Sequence, residues 1–204
     1  MEVHSPLLRG NSIIPKLLPA FYAEYPGTYI SIRDANAAVV TKLVQDGEVE
    51  FGGTTPVPFP ESLSVQKVAA YRFHSVYAKR YPSKPSSKRV TWRDLVGLPV
   101  IGLHPLSSTR LQIDGELHAN GIPRPWKLEV GQLATMISLV QSSAFVTVMP
   151  AIFNAQEHNL CIAPVIDPDI IREFQTVHRT DAPLSPPARL MIGLINAEFE
   201  TVAT

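Results

Sequence analysis

The chain is nearly devoid of cysteine: Cys161 is the one thiol among 204 residues. A lone thiol excludes an intrachain disulfide framework and fits a reducing compartment. It stands in the apolar stretch LCIAPV. A buried small hydrophobe is the expected role there, with a reactive thiol as the alternative. Net charge is absent as well, since eighteen Lys and Arg balance eighteen Asp and Glu. No basic stripe is read in the sequence, which argues against a chain that grips nucleic-acid backbone unaided. No apolar run approaches the roughly 20 residues that a spanning helix needs, so no membrane partner is expected. The opening MEVHSPLLRG has no charged segment leading into a long apolar one. No export signal is read there, and a cytoplasmic location is expected.

The signatures of common enzymes are missing too. There is no G-x-S-x-G elbow, no G-x-G-x-x-G and no Walker loop. His4, His74, His104, His118, His158 and His178 are scattered singly, and no cysteine pair exists, so neither a metal nor a cofactor is expected. Asp167 and Asp169 flank Pro168 and read as a turn rather than a catalytic carboxylate pair. The chain is therefore expected not to be an enzyme.

What is present is alternation of strand and helix. Val3 to Leu8 reads as a strand. Ile14, Leu17, Leu18, Phe21 and Tyr22 recur at helical spacing, with Ser12 as N-cap and Pro15 in the first turn. Pro19 should bend that helix. Thr28 to Arg33 is strand-like, Ala37 to Val44 a second helix after an Asn36 N-cap, and Val49 to Gly52 a third strand. This order argues a parallel sheet with right-handed crossovers. TTPVPFPES breaks the pattern. Two longer β-like runs follow, Val65 to Arg80 and Ile171 to Arg179, with a second α/β set between them.

In that set Thr91 caps the short turn WRDL, and Leu98 to Leu103 is strand-like. Ser107 or Ser108 caps a helix reaching His118. Leu128 to Val130 is a strand, Leu133 to Val140 a helix and Phe145 to Met149 a strand. SKPSSK reads as a solvated loop. Ser185-Pro186-Pro187 opens the last helix. The middle of the chain thus reads as an insertion. An α/β architecture of two Rossmann-like lobes joined by two crossover strands is expected, with a cleft between them. The boundaries place residues 1–73 and 179–204 in lobe one and residues 74–178 in lobe two.

Six fragments carry a family resemblance: PKLLPAFYAEYPG, LVQDGEVEFGG, VTWRDLVGLPVIGL, LEVGQLATMISLV, VMPA and PLSPPARLMIGLI. In this order the chain resembles the effector-binding domain of LysR-type transcriptional regulators. The resemblance implies a two-lobed type 2 periplasmic-binding-protein-like fold and a small-molecule effector. It also implies a homodimer or tetramer, with DNA read only through an N-terminal winged helix-turn-helix that these residues do not contain. In the family the opening helix packs on the second lobe of a partner subunit, so Tyr22 and Tyr25 have two readings, interface or core. A transport solute-binding protein of the same fold is the alternative.

Hydroxyls and amides recur where helices start. In open α/β sheets such starts face the ligand crevice, and their free N–H groups attract anions. Asn11, Ser12, Asn36, Ser107, Ser108 and Gln132 are the candidates on this ground, and a small carboxylate could be held there without an enclosing arginine. The bland reading of the same residues is that they are caps alone. The resemblance adds that Ser12 stands where members commonly place a ligand-binding Ser or Thr. Thr54 and Thr55 follow the third strand as cleft floor, and Thr147 could line lobe two. Ser143 and Phe145 replace two glycines usual in the family, and Phe145 is expected to shrink or reshape the cleft. Arg110 reads as a helix-surface residue, with an effector carboxylate as its alternative partner. Trp92 reads as a structural plug.

Overall fold

The computed structural model describes residues 2–4, 13–33, 37–82, 88–105 and 107–202. In chain order the elements are β1 (Glu2–His4), α1 (Ile14–Glu24), β2 (Ser31–Arg33), α2 (Ala37–Gln45), β3 (Phe51–Thr54), β4 (Leu63–Tyr71) and β5 (Phe73–Ala78). Next come β6 (Val90–Thr91), α3 (Trp92–Val96), β7 (Val100–Leu103), α4 (Ser108–Ala119), β8 (Trp126–Val130), α5 (Leu133–Gln141) and β9 (Val146–Pro150). A 3-10 turn at Ala155–His158, β10 (Leu160–Ile166), β11 (Arg172–Arg179) and α6 (Pro186–Val202) complete the chain.

The chain divides into two compact units, residues 1–70 with 172–204, and residues 71–171. Unit one is built on a five-stranded sheet ordered β2-β1-β3-β11-β4. β1 pairs in parallel with β2 and β3, and β11 lies antiparallel to β3, with Gln175 opposite Thr54 and His178 opposite Phe51. That pairing assigns all of β11 to unit one. The second boundary therefore falls after residue 171, earlier than the 178/179 division expected from the sequence, and the first falls after 70 rather than 73. The β-like run from Val65 to Arg80 is two strands, not one. β4 belongs to the first sheet and β5 to the second, with Arg72 between them.

In unit one, α1 buries Ile14, Leu17 and Phe21 on one face and packs against α6. Pro15 lies in the first turn, where no N–H is required, and Pro19 lies inside the helix. Ile13 precedes α1 and supplies no side-chain cap; Ser12, expected in that role, lies outside the described residues, as does Asn36. Tyr22 is exposed, while Tyr25 is half-buried with its ring against Phe21. α6 opens as its sequence suggests. The Ser185 hydroxyl oxygen accepts from the Ala188 N–H at 3.3 Å. The Glu50 carboxylate accepts from the Ser185 N–H at 2.8 Å and from its hydroxyl at 2.9 Å. Ala188, Met191, Ile195 and Phe199 of α6 are buried, and Phe199 meets Phe174 of β11 with ring centroids 5.0 Å apart.

Unit two is a six-stranded sheet ordered β6-β10-β5-β9-β7-β8. β7, β8 and β9 are parallel; β5 is antiparallel to β9 and β10. Successive strand residues point to opposite faces, and β7 shows why both faces of this sheet are covered. Val100 enters a cluster with Trp92, Leu95, Ile113 and Leu117, whereas Ile101 enters another with Met136, Ile137 and Val140. Thus α3 and α4 close one face and α5 the other. α3 carries a complete capping box: Thr91 Oγ1 accepts from the Asp94 N–H, and the Asp94 carboxylate accepts from the Thr91 N–H. Trp92 is 1% exposed and its indole N–H donates to the Pro168 carbonyl, a structural plug as expected. Cys161 departs from expectation: it lies on β10 and is only half-buried.

On β5, burial pushes the His74 imidazole below its ordinary value of 6.5. The folded state favours the neutral ring, so below pH 6.5 the unfolded chain binds more protons and stability falls as pH drops. Asp94, Asp169 and Glu173 are held low by hydrogen bonds from Thr91, Arg72 and Lys67, so their stabilisation is lost only at more acid pH. Thermal midpoints measured from pH 7 towards about pH 5 should decline in the wild type and flatten in His74→Gln. An equal decline in both would remove His74 from the account.

Candidate functional site

Ligands of open α/β sheets bind outside the carboxyl ends of parallel strands, where the following helices begin. Each unit has one such edge. In unit one it is formed by the ends of β1, β2 and β3, from which the chain leads into α1 and α2 and on to Thr55. Thr54 and Thr55 are both buried there. The Thr54 hydroxyl donates to the Thr55 carbonyl at 3.3 Å. Because β11 runs antiparallel to β3, its first residue comes to the same edge. Arg172 is 4% exposed, and its Nη2 donates to Thr55 Oγ1 at 3.0 Å. Gln175, opposite Thr54, keeps a buried Oε1 without a hydrogen-bond partner.

This arrangement has a chemical consequence. A guanidinium can only donate, so Thr55 Oγ1 must accept from it, and the single hydroxyl proton is left for another acceptor. The edge combines a buried positive charge with an oriented hydroxyl donor. Arg172 is not among the residues the sequence points to, and the sequence allows that a small carboxylate could be held without an enclosing arginine. A strand-initial arginine carries no local signal of this role; only pairing between distant strands brings it to β3.

The corresponding edge of unit two lies at the ends of β7, β8 and β9. Ser107 caps α4, its hydroxyl oxygen accepting from the Arg110 N–H at 3.3 Å, and Ser108 is the first helical residue. Gln132 precedes α5 in an extended conformation; its side chain makes no capping bond and is exposed. Thr147 and Phe145 are placed differently from expectation. Thr147 pairs with Ile101 in the middle of the sheet, is 3% exposed, and commits its hydroxyl to the Ile101 carbonyl at 2.9 Å and the Met136 sulfur at 3.0 Å. Phe145 stands before β9, at the amino-terminal end of the parallel strands and so opposite the helix starts, and packs on the Met136–Ile137–Val140 cluster. Strand direction thus removes it from the ligand-facing edge. Asn11, Ser12 and Asn36 lie outside the described residues.

Arg110 is not a helix-surface residue. It is 5% exposed. Its Nε donates to Asp114 at 2.9 Å, Nη1 to the Leu103 carbonyl at 3.0 Å and Nη2 to Glu129 at 3.0 Å. The guanidinium lies 4.5 Å from the centre of the Trp126 ring, and the Trp126 indole N–H donates to Asp114 at 2.7 Å. Gly102 makes the packing possible, since a Cβ there would meet Arg110 Nη1 at 2.7 Å and Trp126 at 2.9 Å. Arg110 thereby ties the first turn of α4 to β7 and β8. Among the described residues no group of His, Cys, Asp and Glu could hold a metal ion, and no helix is long and apolar enough to cross a membrane.

A family model, the LysR substrate binding domain, matches residues 3–200. The chain belongs to the LysR substrate-binding domain family. It has that family's type 2 periplasmic-binding-protein-like fold. This LysR domain is 27% identical over 194 residues to the uncharacterized HTH-type transcriptional regulator YbhD of Escherichia coli (strain K12), covering 89% of this chain and 58% of that protein. It spans about half the length of the curated relatives it matches. Its fold is similar to the regulatory domain of MexT, a transcriptional activator in Pseudomonas aeruginosa (TM-score 0.79, 19% identity, 97% of this chain and 98% of that one). It is also similar to the effector binding domain of QuiR in complex with shikimate (TM-score 0.75, 14% identity, 98% and 97%).

Removing Arg110 would leave the buried Asp114 with the Trp126 indole N–H and only a longer ion pair, to the exposed Arg124 at 3.4 Å. Arg110→Met is expected to destabilise the domain by about 3–5 kcal/mol, the usual cost of breaking a buried pair. Arg110→Lys should recover only part of this, because a point charge cannot serve three acceptors arranged around a planar fork. Urea unfolding of the three proteins measures both; a loss below about 1 kcal/mol for Arg110→Met, the range of exposed pairs, would refute the strut.

Proposed function

We propose that this domain is the effector-sensing part of a LysR-type transcriptional regulator and catalyses no reaction. Its effector is a small anionic metabolite. The observation that carries the anionic reading is Arg172, a buried guanidinium bonded to Thr55 at the carboxyl edge of β3. Thr54, Thr55, Ser107, Ser108 and Gln132 are its proposed contacts, with Asn11, Ser12 and Asn36 proposed from the resemblance alone. Thr147 serves as a strut within unit two. The complex of the QuiR domain with shikimate, a small organic anion, supports a ligand of this class on this fold.

A ligand that prefers one conformation shifts the population towards it by no more than its differential affinity. In the intact regulator that shift would alter how subunits assemble as a homodimer or tetramer, and through this how an N-terminal helix-turn-helix meets DNA. The HTH-type relatives, longer than this chain, support such a partner domain and a cytoplasmic site of action. Exposed Tyr22, Tyr29 and Ile32 in unit one support a subunit contact.

The test is calorimetric titration with a panel of small carboxylates and their neutral amides. A ligand should emerge that binds as the acid and poorly as the amide. Thr55→Val and Arg172→Met should each weaken it by roughly ten- to a hundredfold, the value of a charged hydrogen bond. An acid whose affinity ignores both changes would overturn the site.

A further inference from the structure

The zero net charge hides a segregation. From Lys79 to Arg93 the sequence reads KRYPSKPSSKRVTWR, six cations with no acid. Lys84 lies outside the described residues; Lys79, Arg80, Lys88, Arg89 and Arg93 are all exposed. Elsewhere the cations of this protein are mostly matched. Lys16 pairs with Glu198, Lys42 with Asp46, Arg72 with Asp169, and Arg110 and Arg124 with Asp114. Lys67 and Arg179 pair with Glu173 and Asp181. Among the described residues, Lys79, Arg80, Lys88 and Arg93 have no carboxylate within ion-pair reach.

The segment that carries these cations is tied at three points to one buried core. Tyr81, Val90, Trp92 and Leu95 belong to one buried cluster of unit two. The Tyr81 N–H donates to the Ala78 carbonyl at 2.9 Å, turning the chain directly after β5, and Val90 pairs with Val165 of β10. Lys79 and Arg80 therefore precede one anchor, Lys88 and Arg89 the next, and Arg93 follows a third. The anchors take the aromatic rings inside: Tyr81 is 5% exposed and Trp92 1%. None of the exposed large hydrophobic residues lies in this segment.

That composition selects among partners. A protein partner is gripped by aromatic and apolar anchors, and single-stranded nucleic acid by stacking rings. Neither is offered here. Duplex phosphate backbone needs only cations, and the arginine fork suits it. We propose that Lys79, Arg80, Lys88 and Arg93, all exposed on this segment, hold duplex DNA by its backbone, without reading sequence. This adds a contact to whatever an N-terminal reading head makes. It does not depend on the effector site.

The test uses the 204-residue chain and a short mixed-sequence duplex, followed by fluorescence anisotropy at increasing salt. Four phosphate contacts give a log–log slope near −3.6, so affinity should fall about a hundredfold between about 50 and 200 mM salt. The variant with Lys79→Gln, Arg80→Gln, Lys88→Gln and Arg93→Gln should bind at least about tenfold more weakly at the lower salt, with most of the slope gone. Lys42→Gln with Lys67→Gln should change neither. If circular dichroism shows that the fourfold variant is misfolded, Lys79→Glu with Lys88→Glu is used and must weaken binding likewise. Absence of duplex binding at low salt, unchanged affinity in a folded variant, or tighter binding to polyglutamate or to a single strand would each overturn the proposal.

Discussion

The antiparallel pairing of β11 with β3 is the contact on which unit one depends. It joins residues more than a hundred positions apart, with the whole of unit two intervening. Closing so long a loop costs little more than closing a moderately long one, because the entropic cost grows only with the logarithm of length. In return the sheet acquires Phe174 and Val177 for its core, and α6 acquires a ring contact through Phe199. The same register brings Arg172 against Thr55. Sheet closure and the chemistry of the edge therefore share one cause.

Unit two solves a related problem with charge. The start of α4 carries a cap serine and sits at the end of β7, so the helix must be held at a definite place on the sheet. Arg110 does this from beneath, with a backbone carbonyl and two carboxylates around one guanidinium. A buried charge is tolerable only when every partner is in place, so the cluster resists displacement. Gly102 is part of the same device, because a side chain there would collide with both Arg110 and Trp126. The contrast with the exposed cations from Lys79 to Arg93 is plain. Arg110 is saturated by its neighbours and available to nothing else; Lys79, Arg80, Lys88 and Arg93 are exposed.

Much of this fold is legible along the chain where the cause is local. Thr91, Ser107 and Ser185 cap the helices that follow them because a hydroxyl near a helix start meets backbone N–H groups within three residues. The helical spacing of Ile14, Leu17 and Phe21 marks a buried face, and their burial follows from it. The α/β order and the family resemblance lead to the right fold. Legibility fails where strands meet. The run from Val65 to Arg80 has continuous strand character, and nothing at Arg72 tells that its two halves enter different sheets. The stretch around Cys161, LCIAPVI, is an apolar run without alternation, and periodicity alone does not tell such a run from a buried helix segment.

The sequence by itself determined the helix starts, the order of elements and the apolar faces, because each rests on residues within a few positions of one another. Only the tertiary structure decided which side chains share an edge. Strand direction set Phe145 at the end of unit two's parallel strands away from the helix starts, the β3–β11 register delivered Arg172 to Thr55, and sheet packing buried Arg110. These outcomes depend on hydrogen-bonded pairing between distant segments, and no spacing along the chain encodes which strand another will choose or in what register.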